Sequence, residues 1–296
     1  MDRFNEMLVF QTVAERGGFA AAARQLGTSG PSVTRAVAAL ESRLGARLFH
    51  RTTRRVQLTD AGERFLQECR RLLADLAEAE AVAAGTHATP RGLVGVTSSQ
   101  LFGRAHVGPL LCALLRRQPL ISVRTLFVDR VVNLYEEHMD IAVRLGPLTE
   151  SSLRAVPVGR VRRVVCASPA YLDAHGVPAS PDDLADHACI QFTGQSPGPE
   201  WNFRQGRSVR VQSRLITDSA DLAVASAIAG DGCARLLSYQ VEPALRSGRL
   251  VVLLAGFEPA PLPVHVLHHE GMRVSAKVRA VFDHLVDGLR ADQALA

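Results

Sequence analysis

No apolar run in this sequence approaches the roughly 20 residues that a membrane-spanning helix needs. The first residues predict no secretory leader, because Asp2 and Glu6 interrupt an apolar pattern that is helix-periodic. Cysteine is scarce: Cys69, Cys112, Cys166, Cys189 and Cys233 are odd in number, scattered and without a CxxC pair. That excludes a disulfide framework and predicts free thiols in a cytoplasmic protein. The histidines include His268 and His269, but there is no HExxH and no Cys/His cluster, so no metal is expected. Catalytic signatures are missing too. There is no GxSxG elbow and no Walker loop, and Gly230-Asp231-Gly232 follows a helix rather than a strand, which predicts no nucleotide cofactor and no enzyme. Lysine is all but absent, with Lys277 alone, a bias that reads as genome composition.

What is present is arginine, and it is unevenly spread. Residues 1–58 hold nine arginines against four carboxylates, a net +5 that equals the formal charge of the whole chain, so the remainder is neutral on balance. A localised basic excess is the electrostatic footprint of nucleic-acid binding. Within it, Phe19 to Leu26 is apolar at helical spacing and Gly27 stands where a helix end needs a left-handed residue. Ser29 caps the next helix, whose Val33, Ala36, Val37, Leu40 and Leu44 form one inward stripe and leave Ser32, Thr34 and Arg35 outside. Two helices across a short turn are the geometry that enters a major groove. An ordinary helical hairpin in a core is the alternative, and the basic ribbon directly after the second helix argues against it. Leu48 to Leu58 reads as a wing in which Arg47, Arg51, Arg54 and Arg55 crowd a ribbon around Thr52 and Thr53, suited to phosphate and minor-groove contact.

Thr59 caps a long helix from about Asp60 to Gly85. Its Phe65, Cys69, Leu72, Leu76, Ala79 and Ala83 alternate four and three apart, with Leu66 and Leu73 beside them, as in a pairing helix. A helix lying on its own domain is the other reading. Thr86 to Pro90 forms the hinge. Beyond it, strands Leu93–Thr97, Ile121–Val128 and Asp140–Leu145 alternate with helices, one of them Arg130–His138 capped by Asp129. The pattern restarts at Val161–Ala167 and continues through helix Ala220–Ala229, strands Cys233–Leu237, Val251–Leu254 and Val264–Leu267, and a last helix capped by Ser275. Two lobes are expected.

These motifs resemble the LysR-type transcriptional regulators. The likeness is carried by Phe4–Val13, Gly18–Leu26, Ser29–Leu40, Leu40–Phe49 and Arg51–Gly62 in the N-terminal part. In the C-terminal part Asp140–Arg144, Cys166–Leu172 and Ser275–Arg279 carry it, and within the family the chain looks closest to the CrgA-like subgroup. The resemblance implies an N-terminal all-α winged helix-turn-helix with a long linker helix. It also implies a C-terminal α/β two-lobed effector domain like a periplasmic binding protein. The division is 1–59 for DNA binding, 60–90 for linker and hinge, and 91–296 for effector binding. Lobe I spans about 91–162 and 267–296, and lobe II about 163–266.

Further implications are a double-stranded DNA operator, dimerisation through the linker helix, a tetramer, a small-molecule effector and RNA polymerase as a partner, with no membrane role. DNA contacts are expected at Ser29, Pro31, Ser32, Thr34 and Arg35, with Arg51, Arg54 and Arg55 on the wing. Many relatives carry Gln where this chain has Gly30, which cannot read a base edge. In such a fold the effector lies at the carboxyl ends of strands. Ser98, Ser99 and Gln100 follow the first strand, and Thr193 and Ser219 lie in polar loops of the second lobe. Ser99 also fits a simple helix cap. Asp129 has two readings: a cap of its own helix, or a carboxylate facing the cleft, which would oppose an anionic effector. A C-terminal enzyme with a targeting arm is disfavoured by the missing catalytic motifs. A pure solute-binding protein is disfavoured by the missing leader and by the basic head, for which it has no use.

Overall fold

Polar caps and left-handed glycines set the helix boundaries of the N-terminal unit. Helix α1 (Arg3–Arg16) starts at Asp2, whose carboxylate accepts from the Phe4 amide, and stops at Gly17 with φ +66°. Helix α2 (Phe19–Gln25) ends before Gly27, also left-handed at φ +62°. Helix α3 (Gly30–Leu44) is capped by Ser29, which accepts from the Ser32 amide, and ends at Gly45. Strands β1 (Phe49–Arg51) and β2 (Val56–Leu58) pair antiparallel, and α4 (Asp60–Ala83) comes next, with Thr59 Oγ1 accepting from the Gly62 amide. The computed structural model describes residues 2–51, 56–83, 89–148, 153–194, 198–269 and 275–295, in two units, Met1–Thr89 and Pro90–Ala296.

The core of the first unit joins Val9, Phe10 and Val13 of α1 to Ala22, Val33, Ala36, Val37 and Leu40, with Leu48 and Phe49 at the wing base. Burying these side chains contributes about 1.5–3 kcal/mol for each large one. Leu44, expected to complete the inward stripe, is exposed. The pairing stripe of α4 is also shorter than expected: Leu66 and Cys69 are buried in this core and Phe65 packs against it, because the first turns of α4 lie on their own domain. Beyond that core Leu72 is exposed and Leu73 and Leu76 are half-buried.

The second unit contains two five-stranded sheets of one design. In lobe I, β3 (Gly92–Ser98) lies between parallel neighbours β4 (Ile121–Phe127) and β5 (Ile141–Leu145). Helix α5 (Gln100–Phe102) passes through a π-helical turn, Gly103–Val107, straight into α6 (Gly108–Arg117). The edge strand β6 (Leu153–Val161) leads through Arg162 into β7 (Arg163–Ala167) of lobe II. There, α7 (Pro169–His175), β8 (Ala188–Phe192), the hairpin β9 (Glu200–Asn202) and β10 (Ser208–Arg210), and β11 (Gln212–Thr217) succeed one another. Helix α8 (Ala220–Ala229), β12 (Cys233–Leu237), α9 (Ser238–Arg246) and β13 (Val251–Leu253) complete the lobe. Strand β14 (Leu262–His269) returns to lobe I and α10 (Ala276–Arg290) packs on it. The sheet orders are β4-β3-β5-β14-β6 and β11-β8-β12-β7-β13.

Two expectations change. The lobe boundary drawn at 267 falls inside β14, all of which pairs with β6, so lobe I takes the chain back at 262. The helix expected over Arg130–His138 is a series of bends and turns. Its carbonyls find other donors: Arg144 reaches Val132 O at 2.5 Å, and Arg124 reaches Glu137 O and His138 O at 3.1 and 2.7 Å. Val132, Leu134 and Met139 are meanwhile buried against lobe I, so tertiary packing overrides a weak, β-branched helix former. Among the described residues no helix is long and apolar enough to cross a membrane.

Candidate nucleic-acid interface and effector cleft

The start of α3 presents a row of polar groups. Ser29 Oγ and Ser32 Oγ lie 2.8 Å apart, the Arg35 guanidinium donates to Ser32 Oγ at 3.4 Å, and Thr34 donates to Gly30 O at 3.1 Å. Ser29, Pro31, Thr34 and Arg35 are exposed, Ser32 is half-buried, and no carboxylate neutralises Arg35 in any ion pair among the described residues. The row is therefore available to a partner. The far end of the helix is tied down instead: Glu41 accepts from the amides of Leu48 and Phe49 at 2.8 and 3.3 Å, and Arg43 pairs with the buried Glu6 at 2.9 Å. Gly62 is required at the wing exit, since a Cβ there would run into the Leu48 carbonyl. Arg51 is the last residue of β1, and Arg54 and Arg55 lie outside the described residues.

In lobe I, Ser98, Ser99 and Gln100 stand at the carboxyl end of β3, as expected, but the roles of two neighbours are exchanged. Ser99 occupies the cap position of α5 and makes no side-chain cap bond. The cap comes from Asp129 at the end of β4, whose Oδ1 accepts from the Gln100 amide at 3.0 Å. Asp129 was expected to cap the segment after it; that segment is not helical, which leaves the carboxylate free for its neighbour. Ser98 is 5% exposed, and its Oγ is buried with no hydrogen-bond partner. A hydroxyl in that state costs free energy unless something fills it. The Ser99 hydroxyl is likewise enclosed and lies beside the Tyr239 phenol. Burial pushes that phenol up to about 12, with the Ser99 hydroxyl acting in the opposite direction and the Asp129 charge adding to the rise.

The groups expected of lobe II are already engaged within that lobe. Thr193 comes after β8 and donates to Thr217 O at 3.3 Å, and Ser219 caps α8 by accepting from the Leu222 amide at 3.3 Å. The two lobes meet here. Arg104 in the π-helical turn donates to both oxygens of Asp221 in α8, at 3.0 and 3.3 Å, and the Phe102 ring stands edge-on to Tyr239 of α9 at 5.1 Å. Below them His106 is 2.6 Å from Asp292. Sequence reading missed Tyr239, Arg104 and Asp221. The first sits on a helix that carries Pro243 and reads as broken, and the other two are 117 residues apart, so no spacing joins them.

A cavity of about 490 Å³ lies elsewhere, lined by Phe203, Arg204, Gln205, Glu258 and Pro259–Pro261 beside the crossing between lobes, and none of the expected effector residues lines it. Burial pushes the Cys69, Cys166, Cys189 and Cys233 thiols up to about 12, and Cys112 alone is exposed. No cluster of groups able to hold a metal occurs among the described residues.

Residues 4–63 match the bacterial regulatory helix-turn-helix protein, lysR family, and residues 87–290 match the LysR substrate binding domain. The chain is 32% identical over 287 residues to the transcriptional regulator CrgA of Neisseria meningitidis, covering 96% of each. It is 32% identical over 293 residues to the transcriptional activator AaeR of Escherichia coli, covering 97% of this chain and 94% of the relative. The solved structure of CrgA superimposes with a TM-score of 0.62 over 96% of this chain and 98% of that one, at 32% identity. The Vibrio cholerae virulence activator AphB shares the fold at a TM-score of 0.61, with 24% identity over 97% of this chain and 99% of that one. A winged helix-turn-helix head, a two-lobed effector-binding domain and relatives named as regulators rather than enzymes agree: the chain belongs to the LysR family of bacterial transcriptional regulators.

Proposed function

We propose that the chain binds a DNA operator as a homo-oligomer and answers to a small molecule held between its lobes. The observation that carries this reading is the uncovered Ser29–Ser32–Arg35 row at the start of α3, in the part of the sequence that holds the net positive charge. Arg35 reads a base, since arginine to guanine is the commonest specific pairing. Ser29, Pro31, Ser32 and Thr34 set the register on the backbone, and Arg51, Arg54 and Arg55 of the wing hold phosphate. Gly30 adds no readout. Beyond the domain core α4 carries the exposed Leu72 and the half-buried Leu73 and Leu76, which supports pairing of two chains, and two such dimers assemble on related half-sites.

The working division is a head of 1–59, a linker of 60–90 and an effector domain from 91, acting in the cytoplasm. The effector contacts Ser98, Ser99, Gln100 and Asp129 from lobe I and the Thr193 and Ser219 loops from lobe II. The unfilled Ser98 hydroxyl supports that placement. An effector shifts the assembly only by its differential affinity for two arrangements, and the change alters access for RNA polymerase.

The test is a band shift on a fragment from upstream of the chain's own gene. Binding is expected to weaken steeply with salt, as phosphate contacts require. Arg35→Ala is expected to lose about 1–3 kcal/mol and relax one position of the site, while Arg54→Ala weakens all sequences alike and lowers the salt slope by about 1. Unchanged specific affinity in Arg35→Ala overturns the readout.

A further inference from the structure

The start of α5 holds a carboxylate that belongs to the protein itself. Gln100 opens a helical run that continues without a break to Arg117, and its free amide is the kind of donor that seats an anionic ligand. Asp129 Oδ1 occupies it at 3.0 Å, reaching across from the end of the neighbouring strand. Nothing local requires this, because Ser99 stands in the cap position and leaves its hydroxyl unused there. Ser98 brings a second hydroxyl to the same strand end, 5% exposed and without a partner, on the β3 face of Val94 and Val96 that α5 covers. The place is thus polar, open at Asp129 and Gln100, and incompletely satisfied at Ser98. Its one seat for an anion is filled.

We infer that Asp129 is the specificity residue of the cleft: its carboxylate bars carboxylate effectors and selects an uncharged or cationic molecule that supplies hydrogen-bond donors. The inference rests on the reading of the cleft as the effector site. Two charges of one sign on one amide repel, and the nearest arginines among the described residues are already paired: Arg104, one turn along, with Asp221, and Arg130 with Glu137 at 2.5 Å. The second oxygen of Asp129 makes no hydrogen bond among the described residues, so it is open to a donor from a ligand. The Ser98 hydroxyl accepts or donates as the ligand demands.

The experiment uses the full chain with two small probes, acetate and methylammonium, each titrated at constant ionic strength and followed by calorimetry. Asp129→Ala frees the Gln100 amide and is expected to bind acetate at least tenfold more tightly than wild type, and methylammonium more weakly. Asp129→Asn keeps an acceptor on the amide while removing the charge, and is expected to gain less for acetate than the alanine variant. Asp129 is exposed, and thermal melting of both variants checks the fold. Acetate bound by wild type as tightly as by Asp129→Ala, or no gain in either variant, overturns the inference and leaves the cleft reading standing. The converse failure is separately visible: acetate bound by Asp129→Ala with operator affinity unmoved supports the role of Asp129 and overturns the cleft as the regulatory site.

Discussion

The two lobes share one sheet design and treat the same corner of it in opposite ways. Each has a parallel trio extended by antiparallel strands. In lobe II the chain leaving β11 enters α8 at once, and Ser219 is used up as that helix's own cap. In lobe I the chain leaving β4 forms no helix and Asp129 caps a different helix, while the Ser98 hydroxyl on the neighbouring strand has no partner. The polar groups of one corner are satisfied within their own segment, and those of the other are satisfied from a distance or not at all.

The comparison can be broken by substitutions that treat both lobes alike. The largest difference is expected at two strand-entry glycines. Gly232→Ala forces a side chain at φ +153° into the Ala188 carbonyl, whereas at Gly92, φ +109°, a Cβ meets nothing nearer than the flexible Lys277 chain at 3.5 Å. Thermal unfolding is expected to show a loss of about 3 kcal/mol for the first and about 1–2 kcal/mol for the second. Equal losses would mean that the two lobes are equally tolerant.

Next come the serines. Ser219→Ala removes a cap and is expected to cost about 1 kcal/mol, while Ser98→Ala removes an unsatisfied hydroxyl and is expected to be neutral or slightly stabilising in denaturant melts. A matching loss at Ser98 would show that its hydroxyl is already satisfied. Smaller still is the bridge between the lobes. Arg104 and Asp221 are mostly exposed, so Arg104→Ala is expected to cost well under about 1 kcal/mol, with the difference vanishing in high salt.

A last contrast concerns carboxylates. Asp183 of lobe II accepts from the Ser180 and Ala179 amides, which hold its carboxyl below the usual range. Because its folded pKa is depressed, the stability it adds is present above the unfolded value and is lost as pH falls through the folded one. An NMR titration is expected to find Asp183 ionised below the ordinary aspartate range, and Asp183→Asn to flatten the acid limb of stability. An ordinary midpoint for Asp183 would remove this example of local satisfaction.

The head was legible because its physics is local. Gly27, Ser29 and the Val33–Leu40 stripe sit within one turn-and-helix stretch, and each lies where its chemistry predicts. Strands β3, β4 and β5 of lobe I and the closing helix were also readable from short apolar runs, whereas the edge strand β6 was not. What escaped depends on distant partners. Arg130–His138 has the composition of a weak helix, and only Arg124 and Arg144, arriving from other strands, decide against it. Likewise the cap of α5 lies 29 residues away, and Phe65 and Cys69 fit a pairing stripe until the domain core claims them. Helix α9 is hidden by Pro243.

Glu41 links this molecule to the layout of its binding site. One carboxylate at the end of the recognition helix holds the first two amides of the wing, so helix and ribbon turn as a single piece. Under the proposed DNA reading, that fixes the phase between bases met in the major groove and backbone gripped beside them. A protein so built would measure its half-site with a ruler of constant length, and an operator that gains or loses one base pair within a half-site would offer it one contact or the other, never both.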